Sequence, residues 1–127
     1  MQHVILDASA LIAVICGETG ATIVERHLAH AIISAVNIAE VASYITSQGI
    51  EIKEAESMLA DLALTVRDYT QEHAFLTAAL RPKTKSKGLS LGDRACLALA
   101  LSEKLPVLTA DKTWAKLDIG ARVQLIR

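Results

Sequence analysis

Aromatic side chains are scarce in this sequence, with one Trp, two Tyr and one Phe among 127 residues. Apolar residues nevertheless make up 52% of it, so a core has to be assembled from Ala, Leu, Ile and Val. Cysteine is nearly absent too. Cys16 and Cys96 stand far apart, each in an apolar helical pattern, which argues against a disulfide framework. Both are expected to be small core residues in a reducing compartment. No apolar run approaches the length of about 18 residues that spans a bilayer, and the opening MQHVILDAS has no basic leader or long apolar stretch. The expectation is a cytoplasmic protein without a membrane span.

Charge of one sign is also missing, the net charge being −1. Its distribution is uneven: Arg81, Lys83, Lys85, Lys87 and Arg94 crowd residues 81–94 against Asp93 alone, leaving the rest of the chain acidic. Such a segment is either a solvated loop or an electrostatic footprint for a polyanion. There is no repeat, linker, glycine-rich phosphate loop, Ser/His/Asp order or CxxC. His3, His27, His30 and His73 show no metal-ligand spacing. The length suits one domain over residues 1–127.

What remains is an alternation of strand and helix patterns. HVIL (3–6), AIIS (31–34), LTV (64–66), PVLT (106–109) and 123–126 read as short strands. Helical spacing covers 8–15, 21–29, 35–48, 52–63, 71–80 and 91–104, with a short helix over 112–117. Ser34 or Asn37 can cap the third helix, Thr70 and Ser90 cap later ones, and Pro82 ends the helix before a basic loop. Strands separated by helices imply parallel pairing with right-handed crossovers, and so a three-layer α/β domain.

Two segments share a grammar. VILD ends a strand at Asp7 and VLTAD ends one at Asp111, each just before a helix. Ligands of open parallel sheets bind at the carboxyl ends of strands. If these two strands are neighbours, two carboxylates meet there, and a hard cation such as Mg²⁺ or Mn²⁺ would relieve their repulsion. Each Asp also sits where a helix N-cap belongs, so a capping role stands beside the metal role. Asp93, three residues after Ser90, reads as half of a capping box or as a carboxylate brought to the sheet edge. Glu40 lies opposite the apolar side of its helix, and periodicity alone makes it solvent-exposed.

Taken together, Asp7 in VILDASALIA, Glu40 in NIAEV, Asp93 in LSLGDRACLALA and Asp111 in VLTADKTWAKL resemble, in order and spacing, the acidic residues of PIN-domain nucleases, most closely the VapC toxins of toxin–antitoxin pairs. The resemblance covers essentially the whole chain. It implies a parallel sheet of order 3-2-1-4-5 between helices, with the first and fourth strands adjacent. It also implies an Mg²⁺- or Mn²⁺-dependent endoribonuclease whose products carry a 5′-phosphate and a 3′-hydroxyl.

On this resemblance Asp7, Glu40, Asp93 and Asp111 are the catalytic and metal-binding residues, with Ser9 and Thr109 supporting them by hydrogen bonds. Arg94, Lys83, Lys85 and Lys87 would contact RNA phosphates. The implied partners are an RNA such as tRNA or rRNA, a VapB-like antitoxin and a second copy in a homodimer. Gly92, just before Asp93, is tolerable near a helix start. Trp114 is expected to pack its short helix on the sheet. The apolar excess of the first two helices (Leu11, Ile12, Val14, Ile15; Ile23, Val24, Leu28) is either internal core or a groove for a partner.

Other readings fit less well. A phosphohydrolase with a nucleophilic Asp needs a second Asp where Ser9 stands. A receiver domain needs paired acids at the first strand end and a phosphoacceptor Asp at the third. An inactive PIN domain that only binds RNA or protein is the alternative from a different class.

Overall fold

Three residues, Val4–Leu6, form β1, and all three are buried. A strand covered by helices on both faces must be apolar at every position, and VIL has no polar side to offer. The computed structural model describes residues 2–127. After β1 come α1 (Ala8–Cys16), α2 (Ala21–Glu25), a 3₁₀ turn (Leu28–His30), β2 (Ala31–Ser34), α3 (Ala35–Ser47) and α4 (Ile52–Asp61). They are followed by β3 (Thr65–Arg67), α5 (Gln71–Ala79), α6 (Arg81–Thr84), a 3₁₀ turn (Lys85–Lys87), α7 (Leu91–Glu103), β4 (Val107–Thr109), a 3₁₀ helix (Lys112–Lys116) and β5 (Val123–Leu125).

The sheet has five strands in the order β3-β2-β1-β4-β5, and every pairing is parallel. Ile5 pairs with Ile32 of β2 on one side and with Val107 of β4 on the other, so β1 and β4 are neighbours. Alternate residues serve the two faces. Val4, Leu6, Ile33 and Leu108 pack with Ala10 and Leu11 of α1 and with Val41 and Ile45 of α3. Ile5, Ile32 and Val107 pack with Cys96, Leu97 and Leu99 of α7 and with Trp114. This is the three-layer arrangement that the strand–helix alternation and the family resemblance implied.

Several local expectations shift. The helix expected over 21–29 breaks after Glu25, and Leu28–His30 continues as 3₁₀. Gly20 (φ +97°) starts α2 with the Ile126 backbone pressed against it, leaving no room for a Cβ. The third strand sits one residue late and lies exposed at the sheet edge. The basic stretch after Pro82 is not an open loop. Pro82 sits in the first turn of α6, where its missing N–H is no loss, and Thr84 is buried with its hydroxyl donating to Leu80 O at 2.9 Å.

Ser34, not Asn37, caps α3, accepting from Val36 N. Cys96 is buried as expected, but Cys16 is exposed, because α1 turns Ala10, Leu11 and Ala13 to the sheet and leaves its last turn at the surface. Ile12, Val14, Ile15 and Leu28 are partly buried against the same core as Leu11 and Val24. Among the described residues no helix is long and apolar enough to cross a membrane.

Candidate active site

Asp7 is the first residue past β1, and its N–H donates to Leu108 O of β4 at 3.0 Å. It occupies the N-cap position of α1, yet its side chain makes no capping bond. The carboxylate turns instead to two hydroxyls on one oxygen: Ser9 Oγ donates to Oδ2 at 2.7 Å and Thr109 Oγ1 at 2.8 Å. Asp7 is only 4% exposed. Burial pushes its carboxyl up to about 6, the Ser9 and Thr109 hydrogen bonds pull the other way, and the charge of Asp93 pushes it up further. For this residue the capping reading fails.

Asp93 and Asp111 do cap. Ser90 Oγ accepts from Asp93 N while Asp93 Oδ2 accepts from Ser90 N at 2.9 Å, a complete capping box at the start of α7. Asp111 Oδ1 accepts from Thr113 N (2.9 Å) and from Thr113 Oγ1 (2.7 Å). In each residue these bonds take up one carboxylate oxygen and fix the rotamer. Thr109 Oγ1 also accepts from Asp111 N at 3.0 Å, so the β4 end ties the last acid to Asp7.

Glu40 is exposed, as periodicity indicates, but it is held. Asn37, one turn earlier on α3 and fully buried, donates through Nδ2 to Glu40 Oε1 at 2.7 Å and to Gly92 O of α7 at 3.1 Å. The Glu40 carboxylate lies directly over Gly92. In the sequence Asn37 is a capping alternative and falls with Glu40 on the side that periodicity turns to solvent, which its complete burial against α7 corrects. Its spacing of three residues before Glu40, one helical turn, was the available signal.

Three of the four acids act on one buried group. Burial pushes the Cys96 thiol well up, and the charges of Asp7, Asp93 and Glu40 push it further. Its Sγ contacts Leu6 O, at the end of β1. Among the described residues the ion pairs are Arg67–Glu103 and Arg127–Glu18, and neither touches these acids. The desolvated Asp7 carboxylate is therefore compensated by hydroxyl hydrogen bonds and by no ion pair among the described residues.

Among the described residues no three Asp, Glu, His or Cys side chains close tightly enough to enclose an ion by themselves. The donors present, carboxylate oxygens, are of the hard type that divalent cations such as Mg²⁺ and Mn²⁺ take.

The basic residues divide. Lys83, Lys85 and Lys87 are exposed on α6 and the turn after it. Arg94 is only 8% exposed, and its Nη1 donates to Thr77 O of α5 at 3.0 Å. The expectation that it reaches a phosphate is corrected: α5 packs along α7, and that face of α7 turns the guanidinium inward. Trp114 is fully buried, in keeping with its packing role.

A family model described as the PIN domain matches residues 4–120. Among solved structures, DNA-bound VapBC from Salmonella typhimurium aligns with a TM-score of 0.79 at 20% identity, over 100% of both chains. A toxin–antitoxin complex from Klebsiella pneumoniae aligns at 0.75 and 22% identity, over 98% of each. VapBC-5 from Mycobacterium tuberculosis, a member of the VapBC family of toxin–antitoxin systems, aligns at 0.64 and 24% identity, over 100% of this chain and 99% of that one. At these identities the likeness is one of fold. No curated protein matches the chain.

Proposed function

This chain belongs to the PIN-domain family, and from that membership we propose that it is a divalent-metal-dependent endoribonuclease, the toxin of a VapBC-type pair. The observation that carries the reading is the buried Asp7 carboxylate, set beside Asp93 with no cationic partner and raised to about 6. Ser9 and Thr109 meet one of its oxygens but no cation meets its charge, which a metal ion would offset.

Asp7 and Asp93 would hold the ion, Asp111 would add a carboxylate from the end of β4, and Glu40 would bind the ion or orient water. The chemistry that Mg²⁺ or Mn²⁺ supplies when bound is activation of water and offset of charge on the phosphoryl oxygens. Ser9 and Thr109 hold Asp7 in one rotamer by donating to the same oxygen. The capping bonds of Asp93 and Asp111 orient those carboxylates before substrate arrives. Lys83, Lys85 and Lys87 would bind RNA phosphates, contributing salt-dependent affinity more than sequence choice. The neighbours that are toxin–antitoxin complexes support a VapB-like antitoxin as the partner, and cytoplasmic RNA, tRNA or rRNA, is the target we propose from the family resemblance. A homodimer is part of the same reading.

The test is cleavage of total cellular RNA by purified protein with Mg²⁺ or Mn²⁺ against EDTA, beside Asp7→Asn. Metal-dependent cleavage that leaves 5′-phosphate ends and is lost in Asp7→Asn is the expected result. A folded, inhibitor-free protein that cleaves no RNA would be an RNA-binding or protein-interaction module instead.

A further inference from the structure

We propose that Asn37 is a positioning residue, and that with Gly92 it forms a latch fixing the Glu40 carboxylate against the first turn of α7. The inference deepens the proposed nuclease reading and rests on it for the role of Glu40. Asn37 is fully buried. Its Nδ2 lies between two acceptors, Glu40 Oε1 at 2.7 Å and Gly92 O at 3.1 Å. That fixes the amide orientation, since a flipped side chain would set Oδ1 against two oxygens.

The cost of this orientation is visible. Asn37 Oδ1 is buried with no hydrogen-bond partner. A buried orphan carbonyl is unfavourable, and a residue kept only to fill space between α3 and α7 would be apolar. What the amide obtains in return is the pair of Nδ2 bonds, and one of them ends on a site carboxylate.

Gly92 supplies the other half. It is buried in the first turn of α7, where alanine would suit the helix better. A Cβ placed there would overlap Oε1, Oε2 and Cδ of Glu40, the three nearest atoms. The missing side chain is thus the seat of the carboxylate. Because the obstacle is the end of a flexible side chain and not backbone, Gly92→Ala can fold by expelling Glu40. Asp93 follows Gly92 directly, so the latch sets the spacing of Glu40 and Asp93 across two helices.

The test compares wild type, Asn37→Ala, Gly92→Ala, Glu40→Gln and the double variant Asn37→Ala/Glu40→Gln. Three readouts are taken: thermal unfolding, RNA cleavage kinetics with Mg²⁺, and Mn²⁺ binding followed by electron paramagnetic resonance. Gly92→Ala is expected to unfold no earlier than wild type. Asn37→Ala and Gly92→Ala are each expected to lower kcat by roughly tenfold or more, as losses of support around metal sites do, with KM little changed. The double variant should be no worse than Glu40→Gln alone, because both changes remove one function.

If the wild type cleaves no RNA but Mn²⁺ binding weakens alike in Asn37→Ala, Gly92→Ala and Glu40→Gln, the latch stands and the nuclease reading fails. The latch is overturned if Asn37→Ala or Glu40→Gln leaves both cleavage and Mn²⁺ binding at the wild-type level. It is also overturned if the losses of Asn37→Ala and Glu40→Gln multiply in the double variant.

Discussion

Thr109 Oγ1 donates to Asp7 Oδ2 across 2.8 Å while accepting from Asp111 N at 3.0 Å, so one buried hydroxyl joins the acids at the ends of β1 and β4. The bond to Asp7 is buried and the one from Asp111 N partly so, and away from water an unmet donor costs more than a satisfied one gains. Thr109→Val keeps the shape and removes the bridge. It should cost about 1–2 kcal/mol in urea unfolding and lower RNA cleavage by roughly tenfold, and Thr109→Ser should restore most of both. Cleavage by Thr109→Val at the wild-type rate would reduce the bridge to a structural contact.

Asp7 sets a pH dependence whose sign can be worked out. Its carboxyl lies at about 6 in the folded protein against 3.8 ordinarily. A raised acid favours folding of the protonated form, so its contribution is fully present below about 3.8 and is lost as pH rises through about 6. In EDTA, Asp7→Asn and wild type should therefore unfold alike near pH 3.8. Above pH 6 the variant should be more stable by an order of ~3 kcal/mol, the equivalent of that displacement. Chemical denaturation across this range measures the gap, and a gap that does not change with pH would contradict the burial of an ionisable Asp7.

Metal should reverse that penalty. At pH 7.5, added Mg²⁺ or Mn²⁺ is expected to raise the unfolding midpoint of wild type as the ion concentration rises, by about 2.7 kcal/mol at one hundred times the dissociation constant. Asp7→Asn should respond weakly or not at all. Removal of the ion with EDTA should return wild type to its starting midpoint and stop cleavage together.

The basic residues should separate by assay. Replacing Lys83, Lys85 and Lys87 with Ala should weaken RNA binding and flatten its dependence on salt by about 2 in the log–log slope, at roughly 0.7 per single-strand phosphate contact. Stability should hardly change, since all three are exposed. Arg94→Ala should do the opposite. It removes the buried bond to Thr77 O and should cost about 2 kcal/mol of stability while leaving the salt slope of the folded fraction unchanged.

Much of the fold was readable along the chain, because burial on both faces leaves a mark that does not depend on partners. VIL, AIIS and VLT are apolar or nearly so at every position, and each is a buried strand. Ser90 and Thr70 stand where α7 and α5 begin, and each accepts the backbone N–H three residues on. Misreadings fell where the deciding contact is remote. Arg94 belongs by sequence to a basic segment, but the packing of α5 on α7 turns it inward. Cys16 looked like core, but the register of α1 on the sheet leaves it outside.

The candidate site divides along the same line. That Asp7 and Asp111 end strands and that Asp93 opens a buried helix is written locally in the chain, since apolar run, cap and acid are patterns within one turn or one strand. Its family resemblance brought Glu40 into the set. That Asp7 does not cap its helix while Asp93 and Asp111 do depends on contacts between distant segments. So do the charges of Asp7, Asp93 and Glu40 that reach the buried Cys96 thiol, whose own burial raises it most, and the seating of the Glu40 carboxylate over Gly92. A carboxylate's partners and dielectric come from chain segments that sequence distance does not predict. Asp7 and Thr109 meet because β4 crosses back beside β1, and no local pattern in either strand states that pairing.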